Sequence, residues 1–108
     1  MTPLAVVQAW FAAHAAGDLG RARALIAPGA ICKAAEDTLI GFDEFMTWYA
    51  RRRDLEGPSF TWEVIDLLGG DSHAVAMIVL TTDRRRWRQV AVYEVADALI
   101  AGITLYES

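Results

Sequence analysis

From Phe60 to Tyr106 the chain alternates between strand-forming runs and short turns, and within those runs both faces are apolar. Turn residues fall at Asp71-Ser72, at Asp83 to Arg85 and at Asp97-Ala98. Between them lie stretches rich in Val, Ile, Leu, Trp and Tyr, the residue types that fit a pleated surface. Successive side chains of a strand point to opposite faces. Yet Val75–Thr82 and Val90–Val95 are apolar at odd and even positions alike, so a sheet built from them needs cover on both sides. The N-terminal half must supply one cover, and the other calls for a second chain.

The N-terminal half reads as helices. Thr2-Pro3 combines a capping hydroxyl with a proline at the first helical position, where its missing N–H costs nothing. Leu4, Val7, Trp10, Phe11, His14 and Ala15 then recur at helical spacing and give one packed face. Gly17 ends that helix and Asp18 caps the next, which the pattern carries from Leu19 to Ala27 before Pro28-Gly29 stops it. Ala22, Leu25 and Ile26 are its inward residues. A short strand over Ala30–Ala34 and a second over Thr38–Ile40 follow, with a turn at Ala35–Asp37. A third helix is expected from Phe42 to Arg53, carrying Phe42, Phe45, Met46 and Tyr49 on one face. Asp43 and Glu44 in its first turn and Arg51–Arg53 in its last suit the helix dipole, and Gly57-Pro58 releases the chain into the sheet. Helices gathered on one side of an antiparallel meander make an α+β fold.

A length of 108 residues is enough for one domain with a single core, here expected to span residues 1–108. The apolar share of 55% exceeds the roughly 45–50% usual for globular chains, an excess that implies an apolar pocket or a buried partner surface. The formal charge of −4 argues against a nucleic-acid-coating surface. Cys32 is the only cysteine, so no internal disulfide forms and a reducing, cytoplasmic compartment is the expectation. Leu4–Ala16 lacks a basic flank and is interrupted by Gln8 and His14, which is not the pattern of a signal peptide. No run reaches the ~18 apolar residues of a membrane span. Seven of the ten basic residues fall in Arg51–Arg53 and in Arg84, Arg85, Arg86 and Arg88. They read as solvated ends that discourage edge pairing. No His/Cys/Asp/Glu cluster has metal-ligand spacing, and no metal or cofactor is expected.

The order of elements, together with Val6-Val7-Gln8-Ala9-Trp10-Phe11-Ala12-Ala13-His14-Ala15-Ala16-Gly17-Asp18-Leu19, the helix start Gly41-Phe42-Asp43-Glu44-Phe45 and the run Val92-Tyr93-Glu94-Val95-Ala96-Asp97, resembles the nuclear transport factor 2-like superfamily, most nearly its SnoaL-like and ketosteroid-isomerase-like members. The resemblance implies a cone-shaped, curved, mixed but mainly antiparallel sheet closed by three N-terminal helices around a pocket. It also implies a homodimer formed through the outer sheet face. Ketosteroid isomerases carry a Tyr on the first helix and an Asp on each of two strands. The positions that correspond are Trp10, Ala34 and Ala91. Limonene-epoxide-hydrolase-like members use an Arg-x-Asp pair and a last-strand Asp, where this chain has Gln89, Ala91 and Leu105. An alanine can neither abstract a proton nor activate water, so neither chemistry transfers.

Other side chains can furnish a pocket. Trp10 and His14, four apart, share a face of the first helix directed at the sheet, and an imidazole is the natural acid/base group near neutral pH; otherwise His14 is a packed histidine bonded to a carbonyl. Trp48, Trp62 and Tyr93 can line a cavity for a flat ligand or pack as plain core. Gln89 and Tyr93 flank Ala91 on one strand face and can offer an amide and a phenol to a carbonyl-bearing ligand, or be satisfied within the fold. Cys32 reads as a buried small hydrophobe, His73 as solvated beside Asp71 and Ser72, Glu36 and Asp37 as solvated turn carboxylates unless Glu36 folds inward, and Glu107 as frayed or at the cone's mouth. Two readings remain. One is a pocket that binds a small, mostly apolar or carbonyl-bearing molecule, with cofactor-free acid/base chemistry centred on His14 and ligand contacts from Trp10, Trp48, Gln89 and Tyr93. The other is a non-catalytic dimerising or ligand-sensing module whose cone is filled by its own side chains. No nucleic-acid or membrane partner is expected.

Overall fold

The computed structural model of the protein describes residues 1–107. Helix α1 spans Pro3–Ala15, with the Thr2 hydroxyl accepting a hydrogen bond from the Ala5 N–H (3.1 Å), as the Thr-Pro pair predicts. Gly17, at φ +70°, turns the chain out of it. The Asp18 carboxylate then accepts from the Arg21 N–H (3.1 Å) and opens α2, Leu19–Ala24.

Here the sequence expectation needs correction, for α2 ends at Ala24 rather than Ala27 and strand β1 begins at Ile26 rather than Ala30, running to Ala34. The cause is long-range. Ile26 pairs with Ile100 of the last strand, the Ile100 N–H donates to the Leu25 carbonyl (2.8 Å), and both Leu25 and Ile26 become buried. Pro28-Gly29 lies in the irregularity between Ile26 and Ile31, a place in a strand where a residue without an N–H does no harm. After β2 (Asp37–Ile40), α3 runs over Gly41–Glu56, about a turn longer than its periodicity indicates. Its first residue, Gly41, is at φ +81°, and a Cβ there would sit 2.9 Å from the Pro28 carbonyl oxygen. Only glycine lets α3 start this close to β1.

Strands β3 (Thr61–Gly69), β4 (His73–Thr81), β5 (Arg86–Ala96) and β6 (Leu99–Glu107) form the meander, with turns where the polar residues place them. The six strands lie in the order β2-β1-β6-β5-β4-β3, all antiparallel except the β1–β6 pair. Register shifts between Val64 and Asp66 and between Glu94 and Val95 add bend and twist. The result is an α+β fold with a curved sheet that does not close into a barrel. Helix α1 packs across β3 to β6, and α3 packs on β1 and β2.

Register fixes what the concave face shows. Cys32, Ile103, Tyr93 and Ala74 form one transverse row, and Ala34, Leu105, Ala91 and Ala76 the next. Then come Glu107, Gln89, Ile78 and Val64, and finally Trp87, Leu80 and Trp62. The convex face carries the other parity, with Val75 beside Val92 and Met77 beside Val90, which in turn adjoins Tyr106.

Candidate functional site

A cavity of about 500 Å3 lies between α1, α3 and the concave face. Its shape follows from side-chain size. At one end Leu4 comes so near the sheet that a Cβ on Gly69 would lie 2.6 Å from its own, and the neighbouring Ala74 and Ala76 are fully covered. Farther along, the wall is built from the long rings of Trp10, Phe11, Phe45, Trp48, Phe60 and Trp62, which meet edge-on or tilted rather than filling the space between them. Exposed Gly17, Leu19 and Arg53 belong to the same wall, so the cavity opens to solvent between the end of α1 and the later turns of α3.

His14 lines this cavity. Its ring stands edge-on to Trp10 (centroids 4.3 Å apart) and stacks at 6.4 Å on Phe42. The Arg23 guanidinium also sits over the Phe42 ring, 4.8 Å from its centroid. The His14 Nε2 atom is buried and has no hydrogen-bond partner among the described residues. Burial lowers the imidazole pKa below its ordinary value, so at neutral pH the ring is uncharged and able to give or take a proton. Tyr93 is completely enclosed, and burial pushes its phenol pKa far up, only partly offset by a hydrogen bond from the Trp10 indole. It is therefore a neutral hydroxyl throughout the physiological range.

The opposite wall is polar. The Gln89 amide N–H donates to Glu107 Oε1 (3.0 Å), while Glu107 Oε2 accepts from Arg52 (2.8 Å). Arg52 Nε reaches Glu56 (3.2 Å), and Glu56 also accepts from Arg85 (2.8 Å), whose guanidinium lies 3.7 Å over the ring centroid of Trp87. The hydrogen bond to Glu107 raises the Arg52 pKa against its desolvation, helped by Glu56. For Glu56, burial pushes upward, but Arg85 and Arg52 together outweigh it and hold the carboxyl below its usual range. The four charges form an alternating chain with no net excess.

All five residues expected to form the site, His14, Trp10, Trp48, Gln89 and Tyr93, line one cavity, and Trp62 joins them. One detail differs from expectation: the Gln89 N–H is committed to Glu107, so the amide presents its oxygen, not its hydrogens, to a ligand. Ala34 and Ala91 are buried and absent from the wall. Cys32 is buried beside them with its thiol pushed up to about 11 by burial, hence inert. Glu36 stays exposed and does not replace the missing strand carboxylates, and His73 is exposed, bonded to Ser72 Oγ (2.8 Å). Sequence reasoning missed Arg52, which reads as part of a solvated helix end, and left Glu107 as frayed or at the cone's mouth, of which the structure shows the second. The signal was present. Glu107 is in phase with Ile103 and Leu105 on β6, and Arg52 stands four residues after Trp48 and seven after Phe45 on the inward stripe of α3. Among the described residues no helix is long and apolar enough to cross a membrane, and no three His, Cys, Asp or Glu side chains gather as a metal site.

The family model of the SnoaL-like domain matches residues 7–103. Solved structures share the fold at low identity. An NTF2-like protein from Burkholderia thailandensis superposes with a TM-score of 0.83 at 21% identity, over 100% of this chain and 92% of that one. A candidate ketosteroid isomerase from Kribbella flavida gives 0.81 at 19% identity, over 98% and 77%. A candidate polyketide cyclase from Sinorhizobium meliloti gives 0.79 at 14% identity, over 94% and 93%. No curated protein matches the chain.

Proposed function

The chain belongs to the SnoaL-like domain family, and from that premise we propose that it binds a compact, mostly apolar small molecule in the cone, with His14 as the group that moves a proton to or from it without a cofactor. The observation that supports this most directly is the placement of the His14 ring, uncharged at neutral pH, in the wall of a solvent-reached cavity of about 500 Å3, a volume within the range typical of ligand sites. The similarity to candidate isomerase and cyclase structures is in keeping with acid/base chemistry of this kind. A cone filled by its own side chains is disfavoured by the same cavity.

Titration of the His14 ring by NMR tests the reading. The free protein should show an imidazole pKa below the ordinary ~6.5, and 2-methoxynaphthalene, a flat two-ring probe, should perturb the His14 resonances at one-to-one stoichiometry. Replacing Ile78 in the cavity wall by Trp should abolish that response. A His14 that titrates at its ordinary value and ignores the probe would end the proposal. The same lowered pKa carries a stability consequence. Between the folded and unfolded pKa values the unfolded chain binds more protons, so stability falls as pH drops from about 6.5 toward the folded value.

We also infer that two copies pair through the convex face of the sheet. Ile31, Val75 and Tyr106 are exposed there, and Met77, Val90 and Val92 continue the apolar surface between them. Sedimentation should show a dimer in the wild type and a monomer after Val92→Glu; a wild type that is monomeric at high concentration would remove the inference.

A further inference from the structure

The polar wall of the cavity states what kind of group it accepts. Gln89 is only 8% exposed, and its amide N–H is held by Glu107, a carboxylate that can only accept. That contact fixes the amide orientation and leaves Gln89 Oε1 without a partner among the described residues, on a side chain that lines the cavity. That oxygen is not sealed off from the cavity and is free to accept a hydrogen bond from a donor on a ligand. Glu107, with both oxygens facing donors of the wall and its side chain 29% exposed, adds further lone pairs at the same end.

Resting on the cavity reading above, we propose that this wall recognises an uncharged hydroxyl group, so that the ligand is a flat apolar alcohol or phenol oriented with its O–H on Gln89 Oε1 and its ring system among Phe11, Trp48 and Trp62. A ligand carbonyl at this end would meet an acceptor. An ammonium would find no negative charge to spare, since Glu107 and Glu56 are each matched by Arg52 and Arg85, and its desolvation would go uncompensated. A ligand carboxylate placed on Gln89 Oε1 would set acceptor against acceptor beside Glu107, with Arg52 already bonded to Glu107 and Glu56; Arg53, exposed in the same wall, lies outside that chain of charges. Gln89 lies four residues from Tyr93 along β5, about 13 Å at strand rise. The hydroxyl is therefore held at one end of the molecule while the His14–Trp10–Tyr93 group faces the other.

Calorimetric binding of 2-naphthol and of 2-methoxynaphthalene, which has the same rings but no O–H, separates the possibilities. The wild type should bind 2-naphthol roughly tenfold more tightly than the ether. In Gln89→Leu the two affinities should become equal. Glu107→Gln, which keeps an acceptor oxygen and the side-chain size, should retain part of the preference and serves as the check that altering this wall does not collapse the cavity. Equal affinities in the wild type would overturn the hydroxyl assignment while leaving the cavity reading in place. A preference that survives Gln89→Leu would overturn the role of Gln89. Failure of both probes to bind would overturn this inference and the cavity reading together.

Discussion

Trp10→Ala should lower the unfolding free energy by about 3–5 kcal/mol, the usual cost of deleting a buried aromatic ring, and drop the melting temperature by roughly 15–30 °C. Trp10 is 2% exposed and is the point at which α1 grips the rest of the molecule. Its ring lies 5.8 Å from Phe45 and 6.1 Å from Phe42, both on α3, and 4.3 Å from His14. Removing it opens a void between α1 and α3. Against a typical total of 5–15 kcal/mol the variant would be barely folded at room temperature. Trp10→Phe keeps most of the packing and should cost only about 1–2 kcal/mol, the smaller void left by a ring-for-ring replacement. Urea unfolding followed by circular dichroism measures both. A Trp10→Ala variant within about 1 kcal/mol of wild type would mean that α1 is not anchored by this ring, and that the cavity lacks its lid.

The second large effect is expected from Ala91→Asp, which writes a carboxylate into the strand position where the ketosteroid isomerases have one. Ala91 is fully buried, stands between Ala76 and Leu105 in its row, and does not reach the cavity. No donor faces it from either neighbouring strand. A carboxyl sealed there should have its folded pKa raised by about 3 units or more over the unfolded ~3.9. Between those two values the folded state holds the proton that the unfolded state has lost. Stability is therefore full below about pH 4 and declines as pH rises, reaching a loss near 4 kcal/mol at neutral pH. The His14 contribution in the wild type runs the other way, weakening the fold as pH falls. The two stability profiles, measured by thermal melts from pH 4 to 8, should thus slope in opposite directions. A variant as stable as wild type at pH 7 would show that position 91 is wetter than its burial indicates, and would reopen this strand as a place for acid/base chemistry.

How much of the site could be read beforehand depended on the range of the interactions. His14 and Trp10 were legible because a helix puts residues four apart on one stripe, and Gln89 and Tyr93 because a strand puts alternate residues on one face. Both rules are local. Arg52 and its pairing with Glu107 were not, although each residue is in phase with an apolar stripe. A charged residue at the end of an element usually lies in solvent, and only their meeting across the sheet, 2.8 Å apart, makes them part of a wall. The amide orientation of Gln89 was hidden for the same reason, being set by Glu107 on the adjacent strand. The end of α2 was misplaced because its last residues have helical neighbours in sequence but a strand partner, Ile100, in space.

The order of elements, the turns of the meander, the helix starts and the two-sided apolar character of the sheet were all determined by the sequence itself, since each follows from capping groups, backbone-permissive residues and side-chain periods acting within a few positions. Only the tertiary structure decided that a cavity remains between α1 and α3, that Arg52 and Glu107 close one side of it, and that Ala34 and Ala91 are sealed beneath it. Those outcomes depend on the volumes of side chains that face each other from distant segments, and on charges that find partners only after the sheet has bent.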